Sequence, residues 1–157
     1  MRDYGTDGKG QGEMAEIREL IEGMNEDLAA EYQAVVMYRT YASLVTGPWR
    51  QELRGFFEGE IPDELGHAAF LADKIAALGG IPTTEVKPVP IPRTNREMLE
   101  NALQAEVDTI ERYTKRIQQA EELGEISVKV QLENLIVDES QHRDDIRRML
   151  MDWKESQ

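Results

Sequence analysis

The chain contains no cysteine, which excludes disulfides, thiolate metal centres and cysteine nucleophiles and leaves histidine and carboxylates as its strong metal ligands. Histidine is itself scarce, with two in 157 residues. No apolar run approaches the ~20 residues that span a bilayer, and the opening segment MRDYGTDGKGQGE lacks the apolar stretch of a secretion signal. A cytoplasmic protein with no membrane partner is expected. Positive charge is in deficit, with 18 Lys and Arg against 31 Asp and Glu, and a net charge of -13 repels phosphate backbones, so no nucleic-acid partner is expected. Acidic surfaces also concentrate divalent cations.

What is present is helical periodicity. From about Met14 to Val45 the apolar positions Ile17, Leu20, Ile21, Met24, Leu28, Val35 and Leu44 recur at mostly helical spacing. Thr46-Gly47-Pro48 stops that helix, and a second carries Leu53, Phe56, Phe57, Ile61, Leu65, Phe70, Leu71, Ile75 and Leu78 before Gly79-Gly80. Pro62 inside it removes a backbone donor and predicts a kink. Residues 80–93, with four prolines, favour an extended path. Thr94 and Glu97 form a T-x-x-E capping box that opens a third helix ending near Leu123, and a fourth is expected from about Glu125 to Trp153.

Fourteen extended residues at about 3.1 Å each reach roughly 43 Å, about the length of a 30-residue helix. The linker can therefore cross a whole bundle, which favours two antiparallel hairpins joined by a long crossover. The fold expected is all-α: a flexible tail over residues 1–13, then one four-helix bundle over residues 14–157.

Both histidines follow a glutamate by three residues, in Asp63-Glu64-Leu65-Gly66-His67 and Asp138-Glu139-Ser140-Gln141-His142. On a helix, i and i+3 share a face, so each pair can point two ligands at one metal ion. With 21 Glu in the chain, chance would place a Glu at that offset from both histidines roughly one time in fifty. The hairpins add an independent test. Glu31 and Glu64 have their midpoint at 47.5, between Gly47 and Pro48, and Glu106 and Glu139 have theirs at 122.5, beside Leu123-Gly124. Each pair is 33 residues apart, which sets both sites about 25 Å from their turns, in mid-bundle.

The halves also share L-x-A-E-x6-Y, from Leu28 to Tyr38 and from Leu103 to Tyr113, the mark of a duplicated hairpin. Surface glutamates and incidental histidines on ordinary helices would not explain equal spacing, centred turns and complete use of the histidines together. Four carboxylates and two imidazoles suit iron or manganese, and burying the carboxylates without cations would be very costly. Glu31, Glu64, His67, Glu106, Glu139 and His142 are therefore the expected metal-ligating and catalytic residues. Asp63 and Asp138 are candidates to orient the imidazoles or plain surface charges. Tyr38 and Tyr113 are candidates for packing with a satisfied hydroxyl, or for supplying an electron or hydrogen bond.

This pattern resembles the ferritin-like di-iron superfamily, above all bacterioferritins and the bundle domain of rubrerythrins, over about residues 14–153. The family's ligand order maps to Glu31, Glu64 with His67, Glu106, and Glu139 with His142. The resemblance implies two iron ions, with manganese or a mixed pair as the other metals considered, bridged by Glu64 and Glu139. Tyr38 matches a tyrosine near the bacterioferritin site. Bacterioferritins carry a haem-ligating Met where this chain has Leu65, so no haem is expected. They continue into a fifth helix, whereas 15 residues follow His142 here, which argues against the standard storage cage. Rubrerythrins place another Glu where this chain has Thr109.

The function this implies is oxidation of ferrous iron with oxygen or peroxide, a ferroxidase- or peroxidase-type oxidoreductase in iron homeostasis or oxidative-stress defence. The alternatives are an iron-binding or storage subunit with little catalysis, and a di-iron oxidase of an organic substrate. A homo-oligomer is expected.

Overall fold

The computed structural model describes residues 8–151 and 153. Four helices follow one another: α1 Gly8–Leu44, α2 Arg50–Ala77, α3 Asn95–Glu122 and α4 Ile126–Leu150. The described residues contain no strand. α1 starts at Gly8, earlier than the expected helix start near Met14, and residues 1–7 of the expected tail lie outside the described residues. Residues 10–13 are exposed. Extending an existing helix adds a hydrogen bond for each residue fixed, whereas nucleation is the costly step, so the exposed Gly-rich turn continues α1 without tertiary support.

The helix ends are local sequence effects. Thr94 caps α3, its side chain accepting from the Glu97 N–H at 3.0 Å. The Glu97 carboxylate reaches back to the Arg93 N–H at 2.6 Å, one residue beyond the usual capping-box partner. α2 and α3 both close through a left-handed glycine, Gly79 at φ 89° and Gly124 at φ 73°. The Gly80 N–H bonds to the Ile75 carbonyl and the Gly79 N–H to that of Ala76, and Glu125 and Gly124 repeat the pattern onto Ala120 and Glu121. These bonds satisfy carbonyls that each helix end would otherwise leave open. Pro62 does not end α2, which runs through it unbroken.

α1 packs against α2, α3 against α4, and α1 against α3. The crossover runs along α1. Asn25 bonds to the Ile81 carbonyl and the Thr83 N–H, Gln33 to the Pro88 carbonyl at 2.5 Å, and the Tyr41 hydroxyl to the Pro90 carbonyl at 2.7 Å. Asn95 and Thr46 then exchange two hydrogen bonds of 2.7 and 3.2 Å, which land the start of α3 beside the α1–α2 turn. α1 and α3 are thereby antiparallel, and the chain forms two antiparallel hairpins joined by a long crossover.

The apolar core is split. One cluster holds Tyr38, Tyr41, Phe57, Met98, Leu99 and Ile146, and the other holds Leu20, Met24, Leu28, Leu71, Tyr113 and Leu132. Burial of these side chains, at about 1.5–3 kcal/mol for a large one, holds the four helices together on either side of a polar middle layer. That layer contains the six residues singled out above.

Candidate metal centre

Helical spacing in each hairpin and the antiparallel register between α1 and α3 bring all six residues to one place. Each is buried, and His142, the most open, is 8 % exposed. Two groups of potential ligand atoms result, within each of which the atoms lie no more than 4.8 Å apart. The first is Glu31, Glu64, His67 and Glu139, and the second is Glu60, Glu64, Glu106 and His142. Glu64 belongs to both.

The centre has an approximate twofold repeat, because Glu31, Tyr38, Asp63, Glu64 and His67 recur 75 residues later as Glu106, Tyr113, Asp138, Glu139 and His142. The halves are cross-linked. The Tyr38 hydroxyl donates to Glu106 and the Tyr113 hydroxyl to Glu31, both buried. Each tyrosine thus positions a glutamate of the other half, from within one of the two apolar clusters. The two aspartates also cross over, with Asp138 3.6 Å from His67 Nε2 and Asp63 3.4 Å from His142 Nε2, and both remain 57 % exposed.

Both histidines turn Nδ1 inward. His67 Nδ1 lies 2.7 Å from Glu139, 3.5 Å from Glu64 and 3.9 Å from Glu31. His142 Nδ1 lies 2.9 Å from Glu60, 3.7 Å from Glu139, 3.9 Å from Glu106 and 4.0 Å from Glu64. Yet the two Nδ1 atoms, Glu139 Oε1 and Glu60 Oε2 are buried without a well-formed hydrogen bond. A buried polar atom left in that state costs about 1–3 kcal/mol. Cations between these groups would remove that cost, so the residues present fit a metal pair.

The electrostatics agree. Burial, and then the charge of neighbouring carboxylates, raises Glu31 well above the usual carboxylate range and pushes Glu64 up to about 8. Glu106 is also raised, by burial and then by Glu139. Burial works against charge on Glu139 too, but the neighbouring Glu106, His142 and His67 hold it low. Burial opposes charge on His142, and Glu139 and Glu60 outweigh it, pushing that histidine up to about 11. Without metal, the layer retains protons to limit its negative charge.

Two features escape a reading of the sequence. Glu60, one turn before Glu64, projects into the centre from α2 and is 9 % exposed. The only signal for it is the i−4 spacing, and the repeat hides it because the matching position is Leu135. The second is a buried ion pair beside the centre, in which Arg116 Nε donates to Asp27 at 2.7 Å, with Arg112 Nε 3.5 Å from the same carboxylate. Asp27 and Arg116 lie on α1 and α3, 89 residues apart, so only the register of those helices joins them.

Comparison with known proteins agrees with this architecture. The family model described as a ferritin-like domain matches residues 21–156. The bacterioferritin of Mycobacterium tuberculosis strain H37Rv is 29 % identical over 128 residues, covering 81 % of this chain and 80 % of that one. The bacterioferritin of Rhodobacter capsulatus is 30 % identical over 126 residues, covering 80 % and 78 %. Among solved structures, a ferritin-like, diiron-carboxylate protein from Bacillus anthracis strain Ames superimposes with a TM-score of 0.85 at 50 % identity, covering 86 % of this chain and 97 % of that one. With four helices in two hairpins around a buried layer of carboxylates and histidines, and a family match across most of its length, this chain belongs to the ferritin-like domain family and is similar to bacterioferritins.

Proposed function

We propose that the centre holds two iron ions and that the protein oxidises ferrous iron with oxygen or peroxide. The observation that carries this is the pair of buried ligand groups sharing Glu64, with both histidine Nδ1 atoms aimed inward and unsatisfied. When bound, the iron pair would supply the redox chemistry, passing electrons from ferrous iron to the oxidant. Glu31, Glu64, His67, Glu106, Glu139 and His142 are the proposed ligands, with Glu64, common to both ligand groups, and Glu139 proposed to serve both positions. Tyr38 and Tyr113 hold Glu106 and Glu31 in orientation, and protons on Glu64 and His142 leave as the cations bind.

The diiron-carboxylate description of the B. anthracis neighbour supports iron over manganese or a mixed pair. The bacterioferritin relatives support a second reading, an iron-storage subunit with little catalysis, acting in an assembly of identical chains. They also support a cytoplasmic setting, and no described helix is long and apolar enough to cross a membrane. Oxidation of an organic substrate has less support: a cavity of about 780 Å³ at the α1–α2 turn is lined by none of the six ligands.

The test is titration of metal-free protein with ferrous iron without oxygen, followed by admission of air. Two tight equivalents per chain and rapid oxidation are expected, with both lost in a Glu64→Ala, His67→Ala double variant. No tight binding, or a double variant that oxidises iron as fast as the native chain, would overturn the proposal. Slow oxidation by a large closed shell holding many irons per chain would favour storage.

A further inference from the structure

The repeat that builds the centre is broken at one position, and the break lies within reach of a metal. Around His67 Nδ1, three carboxylates come within 4.0 Å: Glu31, Glu64 and Glu139. Around His142 Nδ1 there are four, because Glu60 joins Glu64, Glu106 and Glu139. Glu60 is the nearest of these, at 2.9 Å. It is 9 % exposed, and its Oε2 is buried without a hydrogen-bond partner. A glutamate held merely as a surface charge would turn that oxygen to water, whereas Glu60 turns it to His142 Nδ1, the ring atom that faces the proposed metal position. The counterpart of Glu60 in the second hairpin is Leu135, partly buried against the apolar cluster that holds Leu20 and Leu132, so the His67 side has no equivalent carboxylate.

The displacement of Glu139 deepens the asymmetry. It stands 2.7 Å from His67 Nδ1 and 3.7 Å from His142 Nδ1, and Glu60 occupies the space thereby left beside His142. Resting on the two-metal reading above, we propose that Glu60 is a seventh ligand that serves the His142 position alone, making the two metal positions inequivalent and the His142 position the first to fill. An added anionic oxygen donor raises the affinity of a site for a hard divalent cation, through charge and through coordination number alike. Four carboxylates thus stand within 4.0 Å of His142 Nδ1 against three around His67 Nδ1.

Anaerobic titration of the metal-free protein with cobalt(II), followed by calorimetry and by the visible spectrum of the bound ion, tests this without reference to turnover. Crystals grown at half an equivalent per metal position would identify the first ion by its anomalous scattering. For the native chain, two binding events are expected that differ by at least about tenfold, the loss that disturbing even an outer partner of a metal ligand produces. The tighter event belongs to the His142 position. Glu60→Leu, which copies the residue at the matching position, and Glu60→Gln, which keeps the size and removes the charge, should bring the two affinities within about threefold by weakening the tighter one. His67→Ala should remove the weaker native event and His142→Ala the tighter. Circular dichroism of each variant checks that the helices form.

Two native events whose order and separation persist in both Glu60 variants would overturn the assignment of Glu60 while leaving the two-metal centre intact. Equal weakening of both events, or first occupancy beside His67, would overturn it too. Absence of tight cobalt binding to the native chain would overturn the two-metal reading itself.

Discussion

Tyr38 on α1 donates its buried hydroxyl to Glu106 on α3, 68 residues away in the chain. Tyr113 on α3 returns the same bond to Glu31 on α1. The two bonds tie the hairpins together across the layer where the apolar core is interrupted, and they hold Glu106 and Glu31 in place.

Replacing either tyrosine by Phe keeps the ring packed and removes only the donor. The partner carboxyl is then buried with one acceptor unsatisfied, which should lower the stability of the metal-free protein by about 1–3 kcal/mol in urea unfolding. Tyr38→Phe should also weaken cation binding beside His142, and Tyr113→Phe beside His67. An unchanged unfolding midpoint in both variants would mean that these bonds hold nothing in place.

Stability should depend on pH in opposite senses with and without metal. Burial and carboxylate neighbours push Glu64 from 4.5 up to about 8, while on His142 the pull of Glu139 and Glu60 overcomes burial and pushes it from 6.5 up to about 11. Both groups bind more protons folded than unfolded within those windows. The stability they contribute to the metal-free protein is full below the windows and falls as pH rises through them. Cations displace the same protons, so affinity rises with pH. The melting temperature of metal-free protein should fall between pH 5.5 and 8, while the gain on adding cobalt(II) grows. Glu139, held low, acts only on acidification below its ordinary value of 4.5, outside this range. A metal-induced gain that shrank toward pH 8 would contradict the assignment.

Gly23 should reverse the usual rule for helix glycines. Alanine in place of an exposed mid-helix glycine normally stabilises by about 1 kcal/mol. Here a Cβ at position 23 would lie 2.1 Å from Arg116 Nη1. The guanidinium cannot swing away freely, since it is bonded to the buried Asp27 and to Gln119. Displacing it would leave the Asp27 carboxylate poorly paired inside the protein. Gly23→Ala should therefore destabilise the fold by about 1–3 kcal/mol in urea unfolding. Stabilisation of the usual size would show that the pair relaxes without cost.

Thr94→Ala removes the cap of α3 and should cost about 1 kcal/mol, since the Glu97 N–H loses its acceptor. Thr94→Ser, which keeps the oxygen, should restore most of that loss. Chemical denaturation of the two variants side by side measures the difference, and equal losses would assign the effect to packing of the threonine methyl.

The helices, their hinges, the capping threonine and the six proposed ligands were legible in the sequence because each rests on short-range geometry. Periodicity near 3.6 residues, the i, i+3 spacing of Glu64 with His67 and of Glu139 with His142, and the centring of each Glu pair on a turn are all consequences of helical rise and twist. The early start of α1 was not legible, because glycines in an exposed turn carry no packing signal. Glu60 and Leu135, Asp27 and Arg116, and the crossed bonds of Tyr38 and Tyr113 depend on something else: how deeply each helix sits and where α3 stands against α1. That register is set when the crossover lies along Asn25, Gln33 and Tyr41 and the two apolar clusters close. Local spacing thus determined which residues could share a helix face, whereas packing between helices decided which carboxylates meet, which are buried, and that the two halves of the centre differ.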